Sequence, residues 1–291
     1  IAKRSPGCLS GKASNLKSDI VRLNGNISSQ YFSSILMIAP FIGGATINVK
    51  GNQVSKPYID MTTDIMKKFG VTVSNQEYKT YIVPNNQRYR GKRYTVEGDF
   101  SSAGYFFAIA ALTKSSFTLK NLNSDSVQAD KKILRALEEM GNSITHGSNQ
   151  IIIQGKGVKP VRINMVDFPD QAQTIAVLAA FANGKTKISG IGSLRVKETN
   201  RISALRQELK KMNIRTSSTT DTLTIYGGNP KPARIDTYGD HRMAMSFAIA
   251  GSKIPGMSIN DPEVVSKTFP DFWKKLHLIG IKTETIKNKN I

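Results

Sequence analysis

Cysteine is almost absent from this chain of 291 residues: Cys8 stands alone. A lone cysteine excludes an internal disulfide framework and a multi-cysteine metal site, and it fits a reducing compartment, so a cytoplasmic location is expected. Histidine is nearly as scarce, with three residues, and no metal cluster is expected. No run of about 18 apolar residues occurs, so no membrane-spanning helix is read from the sequence. Ile1-Ala2-Lys3-Arg4 is basic but precedes no apolar stretch, so no signal peptide is read there. The opening Ile in place of Met suggests a fragment, a processed chain or missing upstream sequence. Neither a P-loop nor a G-x-G-x-x-G phosphate loop is present. Acidic residues are few, 21 against 41 basic ones, for a net charge of +20. Such a balance attracts phosphates, nucleic acid or acidic membranes. The lysines are scattered, however, and pairs such as Lys67-Lys68 and Lys210-Lys211 fall on expected solvent faces; a compositional bias that also enriches Asn and Ile gives the same excess.

What is present is a repeat. Four similar openings occur: Gly25-Asn26-Ile27-Ser28-Ser29, Gly98-Asp99-Phe100-Ser101-Ser102, Phe168-Pro169-Asp170-Gln171 and Gly239-Asp240-His241-Arg242. Their Asn/Asp positions, 26, 99, 170 and 240, are separated by 73, 71 and 70 residues. Each opening follows a short β-branched or alternating run, at 20–23, 94–96, 161–163 and 234–237, that reads as a strand. Each precedes an apolar helix-like run, at 31–38, 103–112, 172–182 and 243–250. A second strand follows at 46–49, 117–119, 186–188 and 257–259, then an amphipathic helix stopped by Gly70, Gly141, Asn213 or Gly280. A β-hairpin closes the unit at 71–73 with 80–83, at 144 with 151–153, and at 214–216 with 223–225; the fourth is incomplete. The predicted architecture is therefore α/β, built from repeated βαβαββ units with right-handed crossovers. The first helix of each copy is apolar nearly all round and is expected to be buried by neighbouring copies. The polar stretch at 84–93 suggests a boundary, with a partial domain at 1–98 (one full repeat plus a remnant) and a second domain at 99–291 of three repeats, the last incomplete.

Helix starts suit anions, and several repeats place cations there: Lys197, His241-Arg242 and Lys267. A cation at a helix start is disfavoured by about 0.3–1 kcal/mol, and a buried anion would reverse that penalty. Lys197 and Arg201 are four apart, on one face if the helix begins near Glu198, and would repel unless something negative lies between them. Plain alternatives stand beside these readings: Asp170 and Ser28-Ser29-Gln30 as helix caps, His241 as a core histidine, Glu198 as a charge favouring the helix dipole.

Gly25-Asn26-Ile27-Ser28-Ser29-Gln30-Tyr31, Val54-Ser55-Lys56-Pro57-Tyr58, Pro169-Asp170-Gln171-Ala172, Arg195-Val196-Lys197-Glu198-Thr199-Asn200-Arg201, Gly239-Asp240-His241-Arg242-Met243-Ala244-Met245 and Lys267-Thr268-Phe269-Pro270-Asp271 together resemble the 5-enolpyruvylshikimate-3-phosphate synthases. They stand in family order over residues 20–280. The resemblance implies a two-domain inside-out α/β barrel (the enolpyruvyl transferase fold), here with its N-terminal part truncated. It implies an enzyme of the shikimate pathway to aromatic amino acids that moves the enolpyruvyl group of phosphoenolpyruvate onto shikimate 3-phosphate. It implies no metal or organic cofactor, no nucleic-acid or membrane partner, and a monomer. Ser28, Ser29, Gln30, Ser55 and Lys197 would hold shikimate 3-phosphate, with Tyr58 nearby. Arg201, Arg242 and Lys267 would hold phosphoenolpyruvate, with Gln30 close by. Asp170 would act as base on the attacking hydroxyl, and Glu198 is a candidate for proton transfer at the methylene carbon. The family's early Pro-Gly-Ser-Lys-Ser and Asn-x-Gly-Thr segments and the Arg after them are absent; Ser5-Pro6-Gly7-Cys8 and Gly11-Lys12 do not reproduce them. The readings set against this one are a UDP-N-acetylglucosamine enolpyruvyl transferase, an inactive fragment, and a basic nucleic-acid-binding protein.

Overall fold

The computed structural model describes residues 2–5, 8–10 and 20–285; Pro6-Gly7, Gly11-Lys12 and most of the remnant expected before the first repeat lie outside the described residues. The chain divides into two compact units, Ile1–Tyr94 and Thr95–Ile291.

In the first unit β1 (Ala2–Ser5) and β2 (Cys8–Ser10) form an antiparallel pair of their own. Then follow β3 (Ile20–Asn24), α1 (Ser29–Ile38), β4 (Ala45–Lys50), α2 (Lys56–Lys68), β5 (Ser74–Gln76) and β6 (Thr80–Val83). The sheet order is β3-β4-β6-β5, with β3 parallel to β4 and the other pairs antiparallel. That is one βαβαββ unit. Its hairpin starts later than expected because Val71 is taken into the core beside Ile59, Met66 and Tyr81.

The second unit carries three copies. The first holds α3 (Phe100–Thr113), β7 (Ser116–Lys120), α4 (Ile133–Glu139), β8 (Ser143–His146) and β9 (Gln150–Gln154). The next is β10 (Arg162–Asn164), α5 (Ala172–Ala180), β11 (Gly184–Ser189), α6 (Arg201–Lys211), β12 (Arg215–Ser218) and β13 (Thr222–Gly227), with the sheet order β10-β11-β13-β12. The last is β14 (Arg234–Ile235), α7 (His241–Gly251), β15 (Ser258–Ile259) and α8 (Phe272–Leu278), and no hairpin follows among the described residues.

Two expectations fail. The run at 94–96 forms no strand, so the sheet of that copy is three-stranded, β7-β9-β8. Tyr94 instead packs its ring on Phe69 at 5.6 Å, within the first unit. What remains of the missing strand is a short tether: Gly98 N donates to Asn121 O at 2.6 Å and Asn121 Nδ2 donates to Val96 O at 3.2 Å. The second failure concerns α1. Helices α3, α5 and α7 pack on one another and are buried almost all round, as a helix apolar on every side requires. Helix α1 is equally apolar, but only Ser29, Phe32 and Leu36 are buried; Tyr31, Met37 and Ile38 are exposed. A single copy supplies one such apolar helix, and one helix cannot cover itself.

Candidate active site

In the first unit the parallel strands β3 and β4 end side by side, and the loops leaving them open onto α1 and α2. Val54 N donates to Gly25 O at 2.9 Å and Gln53 Nε2 donates to the same oxygen at 3.3 Å. This approach requires glycine: a Cβ on Gly25 would come within 2.7 Å of Val49 Cγ1 and 3.0 Å of Gln53 Cα. Ser28 caps α1, its Oγ accepting from Gln30 N at 3.2 Å. Ser29 is buried and Gln30 exposed. Ser55 precedes α2 in a left-handed conformation (φ 54°) and is buried with no cap bond from its side chain. Two helix starts and their hydroxyls thus share one edge of the sheet, a place suited to a phosphate. Tyr58 lies on the first turn of α2.

In the second unit the same end of each copy carries the charges. Arg201, the first residue of α6, is only 1% exposed. Its Nε donates to Asp240 Oδ2 at 2.7 Å, its Nη1 to Asp170 Oδ1 at 3.2 Å and its Nη2 to Glu198 Oε2 at 2.7 Å. Arg242, on the first turn of α7, donates from Nη2 to Asp170 Oδ2 at 3.0 Å, and from Nη1 to Asp170 O and to the Tyr105 hydroxyl, each at 3.4 Å. Lys267, ending the 3-10 turn Pro262–Lys267, donates to Glu198 Oε1 at 2.5 Å. Asp170 and Glu198 therefore each bridge two cations, and Arg201 joins both. Lys197 makes no direct bond to the cluster, but its charge acts on Asp170.

The electrostatics follow from this web. Burial alone would raise Asp170, but Arg242, Arg201 and Lys197 outweigh it and hold the carboxyl down at about 2. Glu198 behaves alike: burial opposes, while Lys267 and Arg201 bring it to about 2. His241 is pushed down to about 4 by burial and by Arg242, against the pull of Asp240 and Glu198. Both carboxylates are thus anions and the histidine is neutral near pH 7.

Three arguments from sequence are corrected by this geometry. Arg201, Arg242 and Lys267 find their counter-charge in Asp170, Glu198 and Asp240, so these cations alone do not demand an outside anion. Lys197 and Arg201 do not share a helix face, because α6 begins at Arg201 and Lys197 is in extended backbone (φ −89°, ψ −152°). Asp170 is not a cap: it sits inside the 3-10 turn Pro169–Gln171 and spends its carboxylate on the two arginines.

Sequence reasoning passed over Asp240 and Tyr105. Asp240 is fully buried; besides gripping Arg201, its Oδ1 accepts from Arg242 N at 2.8 Å and caps α7. Its place in the repeat matched that of Asp170, which was the available signal. Tyr105, buried in α3, carried none. Two cavities of the second unit, about 500 Å³ beside Arg206 and Lys210 and about 670 Å³ beside Lys114 and Lys159, lie away from this cluster. Among the described residues no group of three or more His, Cys, Asp or Glu is placed to hold a metal ion. Among the described residues no helix is long and apolar enough to cross a membrane.

Residues 4–276 match the family described as EPSP synthase (3-phosphoshikimate 1-carboxyvinyltransferase). The 3-phosphoshikimate 1-carboxyvinyltransferase of Colwellia psychrerythraea is 43% identical over 274 residues, covering 93% of this chain and 64% of that protein. The enzyme of the same name from Photobacterium profundum is 43% identical over 259 residues, 88% of this chain and 60% of that protein. A solved structure of EPSP synthase from Acinetobacter baumannii, 24% identical, aligns with a TM-score of 0.75 over 92% of this chain and 64% of that one. The chain spans less than two thirds of the length of these relatives.

Proposed function

The chain belongs to the EPSP synthase family, and from that premise we propose that its protein transfers the enolpyruvyl group of phosphoenolpyruvate to the 5-hydroxyl of shikimate 3-phosphate. The reaction releases phosphate and serves the shikimate pathway, in the cytoplasm, through a monomer that uses no metal or organic cofactor. The observation that carries the reading is the web in which Arg201, Arg242 and Lys267 converge on Asp170 and Glu198.

Arg242 and Arg201 suit the carboxylate and phosphate of phosphoenolpyruvate because a guanidinium donates in a planar fork; Lys267 contributes a point charge. Ser28, Ser29, Gln30, Ser55 and Lys197 would take shikimate 3-phosphate. In the free site both carboxyls sit near 2, too acidic to exchange protons efficiently at neutral pH. An anion that draws Arg242 and Lys267 onto itself weakens those cations' hold on Asp170 and Glu198, whose proton affinity then rises. Glu198 can then protonate the methylene carbon, which leaves a cation-like centre at the neighbouring carbon. The 5-hydroxyl attacks that centre as Asp170 takes its proton. Glu198 recovers a proton from the new methyl group while the C–O bond to phosphate breaks and the double bond reforms. The departing phosphate takes up the proton held by Asp170, and fixed cations stabilise the charge that develops on it.

Calorimetry of the chain with shikimate 3-phosphate, then with phosphoenolpyruvate added, tests the proposal. Saturable binding of shikimate 3-phosphate, and none of UDP-N-acetylglucosamine, is expected. A folded chain that ignores shikimate 3-phosphate both alone and within its complete protein ends the reading.

A further inference from the structure

Helix α6 meets the loop at 236–240 at two points. Arg201 and Glu208 are seven residues apart, about two turns and about 10 Å along one helix face, and both are buried. Arg201 grips Asp240 at the far end of the loop. Glu208 grips its near end: Oε2 accepts from Asp236 N at 3.0 Å, and Oε1 accepts from the Tyr238 hydroxyl at 2.6 Å. Lys211, one turn on, supplies the charge partner, donating to Glu208 Oε2 and to Asp236 Oδ2, each at 2.7 Å.

The loop needs such a grip. Tyr238 and Gly239 are consecutive left-handed residues, with φ of 56° and 67°. That conformation is free for glycine but disfavoured for tyrosine. The single proton of the Tyr238 hydroxyl goes to Glu208 at 2.6 Å, and the side-chain amide of Gln207 lies 2.8 Å from the same oxygen, so two side chains of α6 flank the tip of the ring. The turn passes directly into Asp240, His241 and Arg242, whose guanidinium then reaches Asp170.

We propose that Glu208 is a positioning residue for Arg242: with Arg201 it clamps the 236–240 loop at both ends, and through Tyr238 it holds the left-handed turn that aims Arg242 at Asp170. The geometry stands whatever anion binds; its consequence for ligand affinity rests on the function proposed above. A merely structural carboxylate would affect stability and leave the guanidinium of Arg242 where it is.

The test is nitrogen-15 NMR of the arginine side chains in the ligand-free chain, comparing wild type with Glu208→Gln and Tyr238→Phe. The wild type is expected to show Arg242 Nη signals slowed in rotation by the fork to Asp170, with exposed Arg206 as a freely rotating control. In both variants the Arg242 signals are expected to average while Arg206 stays unchanged. Tyr238→Phe removes one oxygen and keeps Glu208, so it serves where Glu208→Gln does not fold. Arg242 signals that remain as in wild type in folded Tyr238→Phe overturn the proposal. Phosphoenolpyruvate affinity is expected to fall about tenfold in the same variants. Failure of the wild type to bind phosphoenolpyruvate would count against the proposed function and leave the Arg242 result standing.

Discussion

An arginine with 1% of its surface exposed survives at position 201 because three carboxylates share its guanidinium, one of them, Asp240, fully buried itself. Removing the cation strands that carboxylate. Breaking a buried pair from one side costs about 3–5 kcal/mol, so Arg201→Ala should destabilise the second unit by about that amount in urea titration. A loss below about 1 kcal/mol would mean that water reaches Asp240 after all. The same residues set an acid response in two stages. His241 ordinarily titrates at 6.5 and is held at about 4 in the fold. As pH falls between those values the unfolded chain takes up a proton that the folded one refuses, so stability drops. Asp170 and Glu198 are depressed from 3.8 and 4.5 to about 2. The stability they contribute is complete above their unfolded values and is lost as pH falls towards 2. Melting temperature against pH should therefore decline first between about 6.5 and 4 and again below about 4. His241→Asn should flatten the first stage and spare the second; a variant that retains the first slope would place its origin elsewhere.

Between elements, contact is set where strands end against buried helices. Gly155, after β9, lies so near the last turn of α3 that a Cβ would fall 1.9 Å from Ala110 O. Gly227, ending β13, stands against α5 in the same way, 2.0 Å from Ala179 O. These atoms are backbone and cannot swing aside. Gly155→Ala and Gly227→Ala should each cost about 3 kcal/mol or more, whereas Gly251→Ala, which meets only Met257 Cβ at 3.6 Å, should be tolerated; chemical denaturation of the three variants decides. Gly155 and Gly227 stand one repeat apart, at equivalent ends of their copies. The order of strands and helices was legible because Asp99, Ser28 and Asp240 are true caps and the hydrophobic periods are clean. The strand at 94–96 was misread because Tyr94 had a competing aromatic partner in Phe69, a tertiary contact that no local pattern records. Lys197, Glu198 and Arg201 were legible as a charged motif. That Arg201 turns inward to Asp240 depends on where α6 begins, and a shift of three residues in that start reverses the argument from spacing.

At the scale of the whole molecule the two units are unequal. Among the described residues the first has ten buried apolar side chains in its core and the second has fifty. The difference traces to one cause. Three copies bring three apolar helices that bury one another, whereas α1 has no such partner within its own unit and, with the turn after it, exposes Tyr31, Met37, Ile38 and Phe41, the last to 77%. Apolar area left in water forfeits about 25 cal/mol per Å², and a small core offers little to offset chain entropy. Heating should therefore show two transitions rather than one, the earlier belonging to residues 20–94. Hydrogen exchange should find α1 amides opening before those of α3, α5 and α7. An apolar dye such as ANS should bind the native chain on this face. Met37→Gln combined with Phe41→Ser should weaken the dye signal and leave the later transition in place. A single cooperative transition with no dye binding would mean that the face of α1 is covered in solution, and the unequal cores would then no longer be the property that sets the order of unfolding.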